Sequence, residues 1–179
     1  MVSELAERKL MQRIAAGDQR AFRALYEQFA TPLYRYALLR LRSPTAAEEV
    51  VQETLLAVWR NPTAFNGQSR LITYLFGICH HKTVDYIRRE AKYQSLEQAE
   101  QTTLAVTPDP IRATIAGEAL AALPPQMQSV LILVFHYGFG YHEVSQILGI
   151  PLGTVKSRVF HARQRLKTWL ETEEDEGSV

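Results

Sequence analysis

Apolar residues recur along most of this chain with the spacing of helices. Phe22, Leu25, Tyr26 and Phe29 fall at i, i+3, i+4 and i+7, one face of a helix. Asp18 can cap that helix, and an earlier one can start at Ser3 and stop at Gly17. Pro32 predicts a break or kink before LYRYALLRLR. Thr45 and Glu48 stand at capping-box spacing and open a third helix. Its inner face is Ala47, Val51, Leu55 and Val58, and Asn61-Pro62 closes it. Phe65-Asn66-Gly67-Gln68-Ser69 reads as a loop, after which Ser69 can cap a long fourth helix. Ile72, Leu75, Phe76, Cys79, Thr83 and Tyr86 form its apolar stripe. At about 100° per residue, Arg70, Tyr74, Gly77, His81 and Arg88 lie on the other side, which is therefore basic and aromatic.

From Lys92 to Ile115 the periodicity fades into a polar, proline-containing stretch with the composition of a linker. Beyond it, Val130 to Phe135 is apolar and β-prone, but Gln126 to Tyr137 is long enough for a buried helix and its neighbours are helical. Leu131 and Phe135 are expected in the core of this second block. The predicted fold class is all-α, two small helical domains joined by a flexible linker. The boundaries are 1–93, linker 94–115, 116–172, and an acidic tail 173–179 that is expected to be a solvated, frayed end.

Composition narrows the function. The 179 residues are 46% hydrophobic and 22% charged, a globular mixture, with a formal net charge of +1. A nucleic-acid role must therefore rest on local charge separation. One cysteine excludes an intrachain disulfide framework and a multi-cysteine zinc site. The N-terminus carries charges where a secretory signal has its apolar core, and no apolar run reaches the ~20 residues of a membrane span. A cytoplasmic protein without membrane insertion is expected.

Tyr141 to Leu148 is a short amphipathic helix, followed by Gly149 where a left-handed turn residue is needed. Val144, Leu148, Ile150 and Val155 can form a small core between two crossing helices, with Ser145 small at their approach. This is helix-turn-helix logic. Val155, Val159, Ala162, Leu166 and Leu170 are the buried stripe of the second helix. Ser157, His161 and Gln164 fall roughly opposite, with Lys156 and Phe160 on one flank and Thr154 and Arg158 on the other. Leu152 to Leu170 holds five basic residues and no acidic one. Such a helix suits a major groove, its cations on phosphates or guanine edges and its Ser and Gln on base edges. A solvated basic face is the competing explanation; the turn residue, the core spacing and the missing acids together favour DNA.

Cys79-His80-His81 invites a metal or thiol reading. Adjacent helical residues diverge by about 100°, so the three cannot share one small ion. No metal, no cofactor and no catalytic residue are expected, and the chain reads as a non-enzyme.

The segments AEEVVQETLLAVWRN, FNGQSRLITYLFGICHHKTVDYIRRE and ALPPQMQSVLILVFHYGFGYHEVSQILGIPLGTVKSRVFHARQRL resemble regions two and four of bacterial sigma factors, in the compact extracytoplasmic-function (ECF) group of the sigma-70 family. The resemblance implies a factor that binds core RNA polymerase, directs it to promoters and helps open them. Glu48, Glu49, Gln52 and Glu53 would contact the clamp helices of the largest polymerase subunit. Phe65, Asn66, Gly67, Gln68 and Ser69 would capture a base flipped from the minus-ten element, and Arg70, Tyr74, His81, Arg88 and Arg89 would line the melted strand. Thr154, Lys156, Ser157, Arg158, Phe160, His161 and Gln164 would face the minus-thirty-five element. Relatives often carry Asn where His81 stands and Arg where His161 stands, so a bidentate guanine contact at position 161 is not expected. Part of the surface near Leu131 and Phe135 would meet the flap of the second-largest subunit, and an anti-sigma protein is the implied regulator. The alternative is a stand-alone helix-turn-helix regulator with an N-terminal sensing or dimerisation domain, which has no use for a loop followed by a basic-aromatic face.

Overall fold

The computed structural model describes residues 4–97 and 115–176. Its helices are α1 (Glu4–Ala15), α2 (Gln19–Leu41), α3 (Pro44–Arg60), α4 (Leu71–Glu97), α5 (Ile115–Ala121), α6 (Pro125–Leu131), α7 (Tyr141–Leu148) and α8 (Leu152–Glu176). They fall into an N-terminal unit of α1–α4 and a C-terminal unit of α5, α6, α8 and most of α7.

In the N-terminal unit α2, α3 and α4 pack on one another, and α1 packs on α2 and on the short 3-10 turn Pro62–Ala64. Leu25, Leu33, Tyr36, Val50, Val58, Leu75 and Phe76 are fully buried among them. Burying each such aliphatic or aromatic side chain stabilises the fold by roughly 1.5–3 kcal/mol. The buried hydroxyls of Thr54 and Thr83 donate to the carbonyls of Val50 (2.7 Å) and Cys79 (2.8 Å), so neither is an unsatisfied polar group. Met11 and Ile14 anchor α1.

Helix ends follow local chemistry. Gly17 takes φ 81° after α1, a value that favours glycine. Asp18 caps α2, accepting from the amides of Arg20 (2.9 Å) and Ala21 (3.1 Å). Its pKa is held below the usual carboxylate range, first by the Arg13 side-chain hydrogen bond and then by the Ala21 amide.

Several expectations are corrected. Pro32 does not break α2, which runs unbroken from Gln19 to Leu41. Phe29 and Leu33 are buried on either side of it, and this packing outweighs the hydrogen bond that proline removes. The α3 cap is Ser43, whose hydroxyl accepts from Ala46 N at 3.3 Å, with Pro44 at the first helical position. Thr45 and Glu48 thus sit inside the helix. Tyr26 is 51% exposed and lies outside the buried α2 stripe. Helix α4 continues to Glu97, into the stretch read as linker. The Ser3 cap lies outside the described residues.

In the C-terminal unit Leu123, Leu131 and Ala162 form a buried cluster with Leu120, Met127 and Leu166 packed against it. Gln128 is buried, and its amide donates to the Leu123 carbonyl at 2.8 Å. Residues 125–136 are helical, so the strand option falls away; Ile132–His136 is a wider π-helical turn, closed by Tyr137 N donating to Ile132 O at 3.2 Å. That turn leaves Ile132 and Leu133 inside and Phe135 60% exposed, contrary to its expected core place. Leu170 is 45% exposed, because the buried stripe of α8 outlasts the helices packed on it. The α8 backbone stays helical to Glu176, through part of the acidic stretch expected to fray.

Candidate nucleic-acid interface

The loop between the 3-10 turn and α4 is held from within and from outside. Gly67 takes φ 72°, where a β-carbon is strained. Asn66 Oδ1 accepts from Gln68 N at 3.0 Å, an Asx turn that sets the tip. The Phe65 ring lies 5.4 Å from that of Tyr74 at 53°, a tilted pair that ties the loop to the first turn of α4. Asn66 and Gln68 are exposed, while Phe65, Gly67 and Ser69 are half-buried. The tip therefore presents amide groups beside an aromatic pair. Burial pushes the Tyr74 phenol pKa up, so the ring stays neutral at ordinary pH.

Arg70, just before α4, and His81 and Arg88 on it are exposed and Tyr74 is half-buried, one strip continuing from the loop, with exposed Asp85 at its edge and exposed Arg89 about 100° further round the helix. His81 Nδ1 is 2.7 Å from the Gly77 carbonyl, which leaves Nε2 as its outer ring nitrogen. Arg89 is already engaged: its Nη2 donates to Glu49 Oε1 at 2.7 Å, and its guanidinium lies 5.2 Å from the Tyr86 ring centroid. Glu53 likewise pairs with Lys82 at 3.2 Å. So the four acid and amide candidates on α3 divide. Glu49 and Glu53 turn to α4, while Glu48 and Gln52 line a groove between α2 and α3 with Tyr26, Tyr34 and Val51. The groove extends into a hollow of about 630 Å³ walled by Phe22, Leu56 and Trp59. The Phe22 and Trp59 rings lie 5.0 Å apart, tilted by 60°, and Leu56 is 42% exposed. Sequence reasoning missed this apolar wall. Its signal was Leu56 and Trp59, an apolar pair outside the core stripe of α3.

In the C-terminal unit Gly149 takes φ 63° after α7, the expected left-handed turn. Val144 and Val155 are completely buried, while Ile150 is half-buried. Ser145 does more than stay small: its hydroxyl donates to Ile150 O at 2.6 Å and latches the turn. Lys156, Ser157, Phe160, His161 and Gln164 are exposed, and Thr154 and Arg158 half-buried. At about 100° per residue, Lys156, Arg163 and Lys167 share one flank of the exposed face and Arg158 and Arg165 the other. Ser157, His161 and Gln164 lie between them. Cations on both sides of a polar strip match phosphates on both walls of a groove. Tyr141, Lys156, Phe160, Arg163, Gln164 and Lys167 line a shared concavity on the first flank. Arg163 and Lys167 complete that flank and were not among the sequence candidates.

The Cys79-His80-His81 run points three ways. Cys79 is buried with its thiol 3.8 Å from Leu33 O, and burial pushes its pKa up to about 12. His80 shares a hydrogen bond of 2.8 Å with the Tyr36 hydroxyl, and His81 faces outward. Among the described residues no group of three or more His, Cys, Asp or Glu is placed to hold a metal, and no helix is long and apolar enough to cross a membrane.

Comparison with known proteins agrees with this arrangement. Residues 25–93 match the Sigma-70 region 2 family and residues 114–166 match Sigma-70 region 4. The chain is similar to the ECF RNA polymerase sigma factor SigL of Mycobacterium tuberculosis, 32% identical over 165 residues that cover 88% of this chain and 93% of SigL. It is also similar to SigK of Mycobacterium bovis, 30% identical over 175 residues, 90% of this chain and 92% of SigK. Among solved structures it resembles CnrH in complex with the cytosolic domain of CnrY, with a TM-score of 0.69, 25% identity and coverage of 92% and 97% of the two chains. The sigma factor RpoE bound to the anti-sigma factor NepR from Bartonella quintana gives the same TM-score of 0.69 at 26% identity, covering 84% and 96%. A helical chain with a sigma region 2 match, a sigma region 4 match and near full-length ECF relatives belongs to the extracytoplasmic-function sigma factors of the sigma-70 family.

Proposed function

We propose that this sigma factor docks on core RNA polymerase through the α2–α3 groove, captures one base of the minus-ten non-template strand in the Phe65–Ser69 loop, and reads the minus-thirty-five duplex with α8. The carrying observation is the loop: exposed Asn66 and Gln68 beside the Phe65–Tyr74 pair, continuous with the strip of Arg70, His81 and Arg88. Amides can bond the edge of an extruded base and the aromatic pair can stack on it, whereas a paired base is hidden. The protein does no covalent chemistry. It stabilises the melted strand by binding, and the polymerase carries out synthesis.

Glu48, Gln52, Tyr26 and the wall of Phe22, Leu56 and Trp59 offer a mixed polar and apolar seat for the clamp helices of the largest subunit. Exposed Phe135, within the π-helical turn, is the natural contact for the flap of the second-largest subunit. Two domains, one ending with α4 at Glu97 and the other opening with α5 at Ile115, serve two promoter elements that lie more than one helical turn apart. Tethering raises the effective concentration for the second contact once the first is made. The solved relatives bound to CnrY and to NepR support an anti-sigma partner for this chain as well, and polymerase as partner supports a cytoplasmic location.

In vitro transcription with core polymerase and a promoter library tests the whole reading. Addition of the protein should select a subset of promoters and make their minus-ten thymines reactive to permanganate. No selection and no reactivity would refute it.

A further inference from the structure

We infer that α1 is the brace that holds the base-capturing loop in shape, with Arg8 and Glu7 as its positioning residues. This rests on the strand-capture reading above. Arg8 Nη2 donates to the Gly67 carbonyl at 3.1 Å. The contact is close enough that a β-carbon placed on Gly67 would fall 2.5 Å from Arg8 Nε. The neighbouring Glu7 takes the other end of the same segment, its Oε2 accepting from Leu71 N at 2.9 Å. That amide is the first of α4 and has no partner within its own helix. Two consecutive side chains therefore pin the middle of the loop and the point where it turns into α4. Their base is fixed, because Met11 and Ile14 are buried at 3% and 2% exposure on the same helix. Helix α1 also packs on the Pro62–Ala64 turn that leads into the loop.

Neither contact involves Asn66 or Gln68, whose side chains stay exposed. The brace thus acts on the backbone of the loop and leaves its base-reading groups open. A loop ordered in advance binds more tightly because less conformational freedom is lost on capture. Glu7 and Arg8 lie outside the segment that matches region 2, which begins at residue 25.

The test uses holoenzyme assembled from the full chain and core polymerase. Its affinity is measured for a single-stranded minus-ten oligonucleotide, intact and with each base in turn made abasic. Wild type should show one position with a dominant abasic penalty, which identifies the captured base. Arg8→Ala should weaken the intact oligonucleotide roughly ten-fold and shrink the penalty at that position. Binding of a minus-thirty-five duplex and the melting temperature should stay near wild type. Arg8→Lys, which keeps a donor, should restore part of the loss. Glu7→Gln, which keeps an acceptor for Leu71 N, should bind better than Glu7→Ala. A full abasic penalty retained in Arg8→Ala would overturn the inference while leaving strand capture intact. So would an equal loss for every oligonucleotide and for the duplex. A wild-type holoenzyme with no dominant abasic position would overturn the capture reading and the brace with it.

Discussion

Replacing Lys156 and Arg158 together by alanine removes one cation from each flank of the α8 reading face. Lys156, Arg163 and Lys167 lie within about 40° of one another around the helix, and Arg158 and Arg165 lie together on the far side of Ser157, His161 and Gln164. Each cation that neutralises a phosphate adds about 0.9 to the slope of log affinity against log salt. If all five engage, α8 contributes a slope of about −4.5, a loss of roughly 500-fold between about 50 and about 200 mM salt. The double variant should retain about −2.7, roughly 40-fold over the same interval. The assay is fluorescence anisotropy of holoenzyme on a labelled minus-thirty-five duplex across a salt series. Polymerase contributes equally to both proteins, so the difference in slope, about 1.8, isolates the two side chains. Lys9→Ala, an exposed cation on α1, serves as control and should leave the slope unchanged. A double variant whose line runs parallel to that of wild type, however much weaker its binding, would refute the placement of these cations on phosphates.

Glu48→Ala with Gln52→Ala, two exposed groove residues, should reduce co-elution with core polymerase while helicity and melting stay unchanged; normal co-elution would remove the groove from the docking surface. Cys79 should resist iodoacetamide at pH 8 in the native protein and react fully once unfolded, because burial holds its pKa up at about 12. Its stabilising contribution is complete below the unfolded thiol value of 9.0 and is lost as pH rises towards the folded value, so Cys79→Ala should flatten the alkaline arm of the stability curve. Asp18 has the opposite sign: its depressed folded pKa gives a contribution complete above 3.8 and lost as pH falls through the folded value. Asp18→Asn keeps a cap acceptor but abolishes the carboxylate pair with Arg13, and should make acid unfolding less steep; an unchanged acid limb would discount that pairing.

What was legible in the sequence was whatever a single element decides for itself. Helical periodicity placed the buried faces of α3 and α4, because Val51, Leu55, Val58, Leu75, Phe76 and Cys79 repeat at the spacing that one helix turns inward. The Asp18 cap and the Gly149 turn were legible because one side chain, or its lack, sets each local backbone. The exposed face of α8 followed from the same periodicity read in reverse. What only tertiary structure decided was anything that needs two elements at once. Whether Pro32 ends a helix depends on what Phe29 and Leu33 pack against, and neighbouring helices carry α2 through. The division of the α3 carboxylates depends on α4, since Arg89 reaches Glu49 from 40 residues away in the chain and Lys82 reaches Glu53 across the same loop. The brace on the Phe65–Ser69 loop is farther still, with Arg8 and Gly67 separated by 59 positions. A periodicity read along one helix has no term for such distances. Packing supplies it, because burying Met11 and Ile14 sets α1 down where Glu7 and Arg8 meet the loop.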